Sequence, residues 1–175
     1  MRVFLYHIRM EILTFGNDVL RQKAASIENL KDDLALWGET VQKMLAALVK
    51  EKGIGLAGPQ VGILQRIFVE NVEDDSPLVF INPSIIETSQ ETAKYEEGCL
   101  SIPGIWADVV RPSTVKVQAW NEKGRPFVLE AGGLLARIIQ HEYDHLEGIL
   151  FIDRLPELKR KRVIEKITKR ASASS

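Results

Sequence analysis

The sequence predicts an α+β fold: antiparallel β-sheets packed around a central α-helix, with N-terminal helices before them and a C-terminal helix after. Two observations carry this. Apolar residues recur at helical spacing near both ends, whereas the middle breaks into short β-branched runs separated by Pro, Gly and Asn. A third points to the central helix, since Leu134, Leu135, Ile138, Ile139 and Leu146 spread apolar surface around one segment, as in a buried helix.

In chain order, Glu11 to Phe15 reads as strand-like, and Asn17 as the N-cap of a short helix from Asp18 to Ala25. Leu34, Leu36, Val41, Met44, Leu45 and Leu48 define a helix from about Leu30 to Lys50, with Gly53 suited to the left-handed cap. Strands are expected at 66–71, 78–81, 84–88, 105–110 and 114–120. In the last, Val115, Val117 and Ala119 alternate with Lys116 and Gln118. Asn121-Glu122-Lys123-Gly124 turns that strand into Phe127–Glu130. Gly132-Gly133 opens the central helix, and Gly148 stops it. Pro156 stands at a tolerated first-turn position of a last helix running to about Arg170.

The 175 residues suit one domain, 1–175, large enough to bury a substantial core. With 45% apolar and 27% charged residues the chain is globular rather than disordered. A net charge of −1 points to no partner, so charge has to be read locally. The lone Cys99 excludes an intrachain disulfide and fits a reducing compartment, the cytoplasm. No apolar run approaches the roughly 20 residues that span a bilayer, and neither a membrane nor DNA is expected as a partner. Residues 1–9 read as an extension upstream of a start at Met10, or else as an edge strand. Residues 171–175 read as a frayed, disordered tail.

The chemistry centres on His141-Glu142-Tyr143-Asp144-His145, an H-E-x-x-H pattern on the central helix. Residues four apart stack on one helix face, so both imidazoles can grip one metal ion, while Glu142 on the adjoining stripe can reach a water on it. A solvated patch is the plainer alternative, but the apolar flanks argue against it, and a buried, unpaired histidine pair would be costly. Catalytic sites usually need a third protein ligand plus an open position. Cys99, in the turn-like Glu97-Gly98-Cys99-Leu100-Ser101, and Glu165, in the basic run near the C-terminus, are the candidates. A small buried hydrophobe is the commoner fate of a lone cysteine, and a surface salt bridge is a sufficient account of Glu165.

Three segments then fall together: Gly53-Ile54-Gly55-Leu56-Ala57-Gly58-Pro59-Gln60, Glu97-Gly98-Cys99-Leu100-Ser101, and His141-Glu142-Tyr143-Asp144-His145. In this order and spacing they resemble the three signature motifs of the peptide deformylase family, in its bacterial type without large insertions. The resemblance implies hydrolytic removal of the formyl group from the N-terminal methionine of newly synthesised polypeptides. It makes Cys99, His141 and His145 the metal ligands, with metal-bound hydroxide attacking the formyl carbon and Glu142 shuttling the proton. It implies an oxyanion hole formed by Gln60 and the Leu100 backbone N–H, with Gly55 along the substrate backbone and Ile54 and Leu134 as substrate-binding residues. It pairs Glu97 with Arg111 to brace the cysteine loop. Ferrous iron is the metal implied in the cell, with zinc, nickel or cobalt also accepted.

The sequence departs from the family pattern in places. Gly58 stands where alanine is usual and predicts a looser loop. Trp106 is expected to wall the peptide groove. Arg137 either lines the methionine pocket with its stem while its guanidinium reaches water, or is a plain surface arginine. Asp144 is expected to bond nearby backbone. The basic residues from Lys159 to Arg170 read as a solvated helix face or as a docking surface for ribosomal RNA. The competing functions are a metallopeptidase, and a non-catalytic metal-binding or RNA-binding module.

Overall fold

The structure, a computed structural model, describes residues 10–72 and 76–173. Its elements are α1 (Leu34–Lys50), β1 (Gly55–Ala57), β2 (Ile67–Glu70), β3 (Leu78–Thr88), β4 (Thr92–Cys99), β5 (Ile102–Pro112), β6 (Thr114–Trp120), β7 (Pro126–Gly132), α2 (Gly133–Leu146) and α3 (Glu157–Ala173). One antiparallel sheet runs β1-β2-β3-β6-β7, and β4 and β5 pair as a separate two-stranded sheet. This is the α+β arrangement expected.

Side-chain alternation along the strands builds the layers. Ile67 and Val69 of β2 join Leu56 and Ile81 in a cluster with Val41, Met44 and Leu48 of α1. Phe68, between them in sequence, points to the opposite face, where it meets Phe80, Val117 and, from α2, Ala136, Ile139 and Leu146. Helix α2 thus lies buried on the far side of the sheet from α1. Phe68 and Phe80 are fully buried and stack with ring centroids 4.5 Å apart; each such side chain contributes about 1.5–3 kcal/mol by burial. A third cluster joins Ile105, Ala107 and Val109 of β5 to Phe151 and Ile152, and Val163, Ile164 and Ile167 of α3 pack against it. Helix α2 is therefore enclosed between the large sheet and the β4–β5 hairpin.

Several boundaries differ from the sequence reading. The two expected strands at 78–81 and 84–88 are one strand with two register shifts, at 81–84 and 85–87. Asn82 takes a left-handed φ of 49°, and its amide bonds both the Ile27 N–H and the Ile27 carbonyl, so the strand continues past Pro83. The expected helix 18–25 is a single 3-10 turn, Asp18–Arg21, still capped by Asn17. Its continuation is spent on tertiary bonds, Ala24 N–H to Leu146 O and Ala25 N–H to Leu64 O. Glu11–Phe15 forms no strand. Strand β4 was not anticipated because its side chains are mostly exposed and lack apolar alternation. The left-handed residue after α1 is Lys52, not Gly53. Helix α3 continues to Ala173, into the stretch read as a frayed tail. Residues 1–9 and 174–175, to which the readings of an extension and a tail end apply, lie outside the described residues.

Candidate active site

Helix α2 presents His141, Glu142 and His145 toward the β4–β5 hairpin, and Cys99 closes the end of β4 against them. Ligand atoms of Cys99, His141 and His145 all lie within 4.8 Å of one another, the only such group among the described residues. Cys99 Sγ is 3.3 Å from His145 Nε2. The Nδ1 of His141 meets Glu97 Oε2 at 2.9 Å, which leaves its Nε2 for a metal. Glu165 lies instead on exposed α3, among Arg162, Lys166 and Lys169.

The donor set fits a divalent transition metal: one thiolate and two imidazoles from two rigid elements. Beside the cluster, Glu142 Oε2 is buried without a hydrogen-bond partner, as fits a carboxylate facing a further polar species. The two histidines differ in their electrostatics. Burial works against a charged His141, yet the neighbouring Cys99 and Glu97 pull its pKa well above the usual histidine range. Burial, and then the charge on His141, push His145 well below it.

Glu142 is 4% exposed, and with protein groups alone around it burial pushes its carboxyl up to about 7. A buried carboxylate beside the ligand cluster is placed for proton transfer. Gly55, in edge strand β1, passes so close that a Cβ there would crowd the Glu142 carboxylate and its stem, 2.9 Å from Cδ and 3.0 Å from Cγ. Gln60 sits in the 3-10 turn Gly58–Val61 and is 1% exposed. Its Oε1 accepts from the Ala57 N–H at 2.8 Å, so the NH₂ end faces the site, 3.5 Å from Cys99 Sγ and 3.2 Å from Ser101 Oγ. Gly58 is buried in this turn, and a Cβ there would crowd Ile63 O at 2.6 Å.

Leu100 occupies the turn between β4 and β5. Around it opens a cleft of about 540 Å³ whose walls include Ile54, Leu100, Ile105, Trp106, Leu134 and Ile138. Trp106, 66% exposed, lies opposite Gly98 in the hairpin register. A Cβ on Gly98 would stand 2.7 Å from the indole ring, so glycine lets the ring lie flat across the hairpin.

Behind the cluster stands a charged network. Glu97 accepts from Arg111 Nε (2.8 Å) and Nη2 (3.0 Å) and from Arg137 Nη1 (2.8 Å), besides meeting His141. Burial raises the Glu97 carboxyl, but bonds from His141 and Arg111 outweigh it and hold the group well below the ordinary range. Arg111 also donates to Asp144 Oδ2 at 2.6 Å, and Arg154 caps Asp144 from the outside.

Two readings need correction. Asp144 bonds arginines rather than nearby backbone, since α2 turns it inward onto the hairpin. Arg137 is neither a surface residue nor one whose guanidinium reaches water. It is 5% exposed, because Glu97 and two hairpin carbonyls wait for its charge, although the residue does line the cleft. The sequence reading also missed a strap: Leu13 N–H donates to Gln60 O and Phe15 N–H to Ser101 O, each at 2.8 Å. The strand-like pattern of residues 11–15 was the one trace of it.

The sequence model of the Polypeptide deformylase family matches residues 9–161. Similar proteins include the peptide deformylase of Borreliella burgdorferi, 45% identical over 157 residues, which are 89% of this chain and 93% of that protein. The peptide deformylase of Chromohalobacter salexigens is 45% identical over 167 residues, 94% of this chain and 96% of that one. Among solved structures, a peptide deformylase from Synechococcus elongatus in complex with actinonin superposes with a TM-score of 0.83 at 44% identity, covering 91% of this chain and 86% of that one. A peptide deformylase from Legionella pneumophila gives 0.84 at 34% identity, covering 94% and 96%.

Proposed function

The chain belongs to the polypeptide deformylase family, and from that premise we propose that it hydrolyses the formyl group from the N-terminal methionine of newly synthesised polypeptides. The observation that carries the reading is the meeting of Cys99 with His141 and His145 beside a buried carboxylate and a side-chain amide.

In this reading Cys99, His141 and His145 hold a divalent cation. Such a cation supplies Lewis acidity, bringing water toward neutral pKa and polarising the formyl carbonyl. Glu142 takes a proton from the attacking water and returns it to the leaving amine; its burial and its unpartnered Oε2 support that role. The Gln60 NH₂, whose amide is oriented by the Ala57 N–H, and the Leu100 N–H would stabilise the developing oxyanion. Strand β1 is an edge of its sheet, and Ile54 and Gly55 line the cleft, so an extended peptide can run beside them. Leu134, Trp106 and the aliphatic stem of Arg137 give the methionine and the residues after it apolar walls. Glu97 and Arg111 orient His141 and the cysteine turn from behind.

Ferrous iron is the proposed cellular metal, and the donor set also admits zinc, nickel or cobalt. The cytoplasm is the proposed compartment, on the strength of the lone, unbridged Cys99; no helix of the described residues is long and apolar enough to cross a membrane. The exposed Lys161, Arg162, Lys166 and Lys169 of α3 support docking to ribosomal RNA, which would weaken steeply with added salt.

The test is anaerobic purification with metal analysis, followed by turnover of formyl-Met-Ala and acetyl-Met-Ala. Formate release confined to the formyl peptide is the expected result. Metal-loaded protein that releases none sinks the proposal.

A further inference from the structure

Arg137 is a buried cation that the proposed reaction does not use. It projects from α2 one turn before His141, and four groups on the β4–β5 hairpin receive its guanidinium. Nη1 donates to Glu97 Oε1 at 2.8 Å and to the Val109 carbonyl at 3.2 Å. Nη2 donates to the Ala93 carbonyl at 2.7 Å. The Tyr95 ring lies 5.0 Å away, within cation–π range. One planar fork therefore reaches both strands of the hairpin that ends in Cys99, from the helix that carries both histidines.

The partition at Glu97 is informative. Oε1 takes Arg111 Nε and Arg137 Nη1, while Oε2 takes Arg111 Nη2 and faces His141 Nδ1. Arg111 alone would hold this carboxylate in a bidentate grip, but Arg111 lies on β5, in the same hairpin as Glu97. It cannot set where the carboxylate stands relative to α2 except through Asp144. Arg137 supplies that reference directly, because its own backbone belongs to the helix turn below His141. A lysine keeps the charge and the bond to Glu97, the partner that meets His141, so it retains most of the positioning even where a carbonyl bond of the fork is lost.

We propose that Arg137 is a positioning residue for the metal ligands, its guanidinium locking Glu97 in the orientation in which it meets His141 and tying the cysteine hairpin to the histidine helix. This rests on the three-ligand reading above.

The test uses the full chain loaded with cobalt, comparing Arg137→Met, which keeps the aliphatic wall of the cleft, with Arg137→Lys. The readouts are the rate of cobalt release to EDTA and the visible cobalt spectrum. Loss of such an orienting partner typically weakens metal binding by roughly 10–100-fold, so R137M should release cobalt about tenfold faster or more with an altered spectrum, and R137K within about threefold of the parent. An R137M protein that matches the parent in both readouts overturns the inference, and so does an R137K protein as impaired as R137M. If R137M does not fold, Arg137→Gln, which offers Glu97 no charge, replaces it with the same two outcomes. A parent chain that takes up no cobalt sinks the functional reading itself, whereas a parent that holds cobalt beside an equally retentive R137M sinks this inference alone.

Discussion

The two walls of the site are built by opposite means. On the α2 and hairpin wall, Glu97, Arg111, Arg137 and Asp144 are all at most 5% exposed and joined to one another by salt bridges. On the β1 wall, residues 53–60 bring few long polar side chains to the site and approach it with backbone. Gly55 presses against Glu142, and the one polar side chain, Gln60, is oriented by a backbone N–H from its own turn. The first wall has to fix ligands that a cation would pull on; the second has to leave room for a substrate chain. The difference teaches that rigidity here comes from saturated charge on one side and from absent side chains on the other.

The comparison can be broken at its shared element. Glu142→Gln keeps the shape and removes the proton acceptor, so kcat should fall by about 10²–10⁴-fold while metal content stays that of the parent. A fall in metal content of equal size would show that the carboxylate serves the ligands instead. On the charged wall, Asp144→Asn strips the buried Arg111 and the outer Arg154 of an anion. Breaking one side of a buried pair costs about 3–5 kcal/mol, and the urea midpoint should drop accordingly.

On the backbone wall, Gly55→Ala forces a methyl into the space of Glu142 Oε1. Displacements of about 1 Å at reacting groups cost up to about 10²-fold, so kcat should suffer more than thermal stability. Unchanged kcat in this variant would show that the wall yields freely.

Acid should sharpen the contrast further. The folded pKa of Glu97 is depressed, so its stabilising contribution is complete above its unfolded value of about 4.3 and is lost as pH falls toward the lower folded value. In protein stripped of metal, the urea midpoint of the parent should fall between pH 5 and 3 more steeply than that of Glu97→Gln. Parallel curves would remove Glu97 as a source of acid sensitivity. The smallest effect is expected at Lys52, whose φ of 54° is a left-handed conformation. Lys52→Gly relieves roughly 1–2 kcal/mol of strain against about 0.5–1 kcal/mol of added chain entropy, a net gain of about half a kcal/mol in thermal unfolding.

Local pattern made much of this legible. The periodicity of α1 and α2, the alternation in β6 and the Asn121 turn are set by neighbours a few residues apart, and they reappear in the structure. The H-E-x-x-H pattern showed in the same way, because helix geometry alone stacks residues four apart. Strand β4 was hidden, since a mostly exposed strand carries no apolar alternation. The burial of Arg137 was hidden too, because nothing beside it in sequence says that Glu97, Ala93 and Val109 converge there.

By itself, then, the sequence determined the fold class, the central helix and the residue types available for chemistry, since each depends on spacing along one element. Only the tertiary structure decided that Cys99 rather than Glu165 meets the histidines, that Asp144 bonds Arg111 and Arg154, and that Arg137 is sealed against Glu97. Those partners stand 10 to 46 residues apart, and their meeting is a consequence of how the two sheets enclose α2.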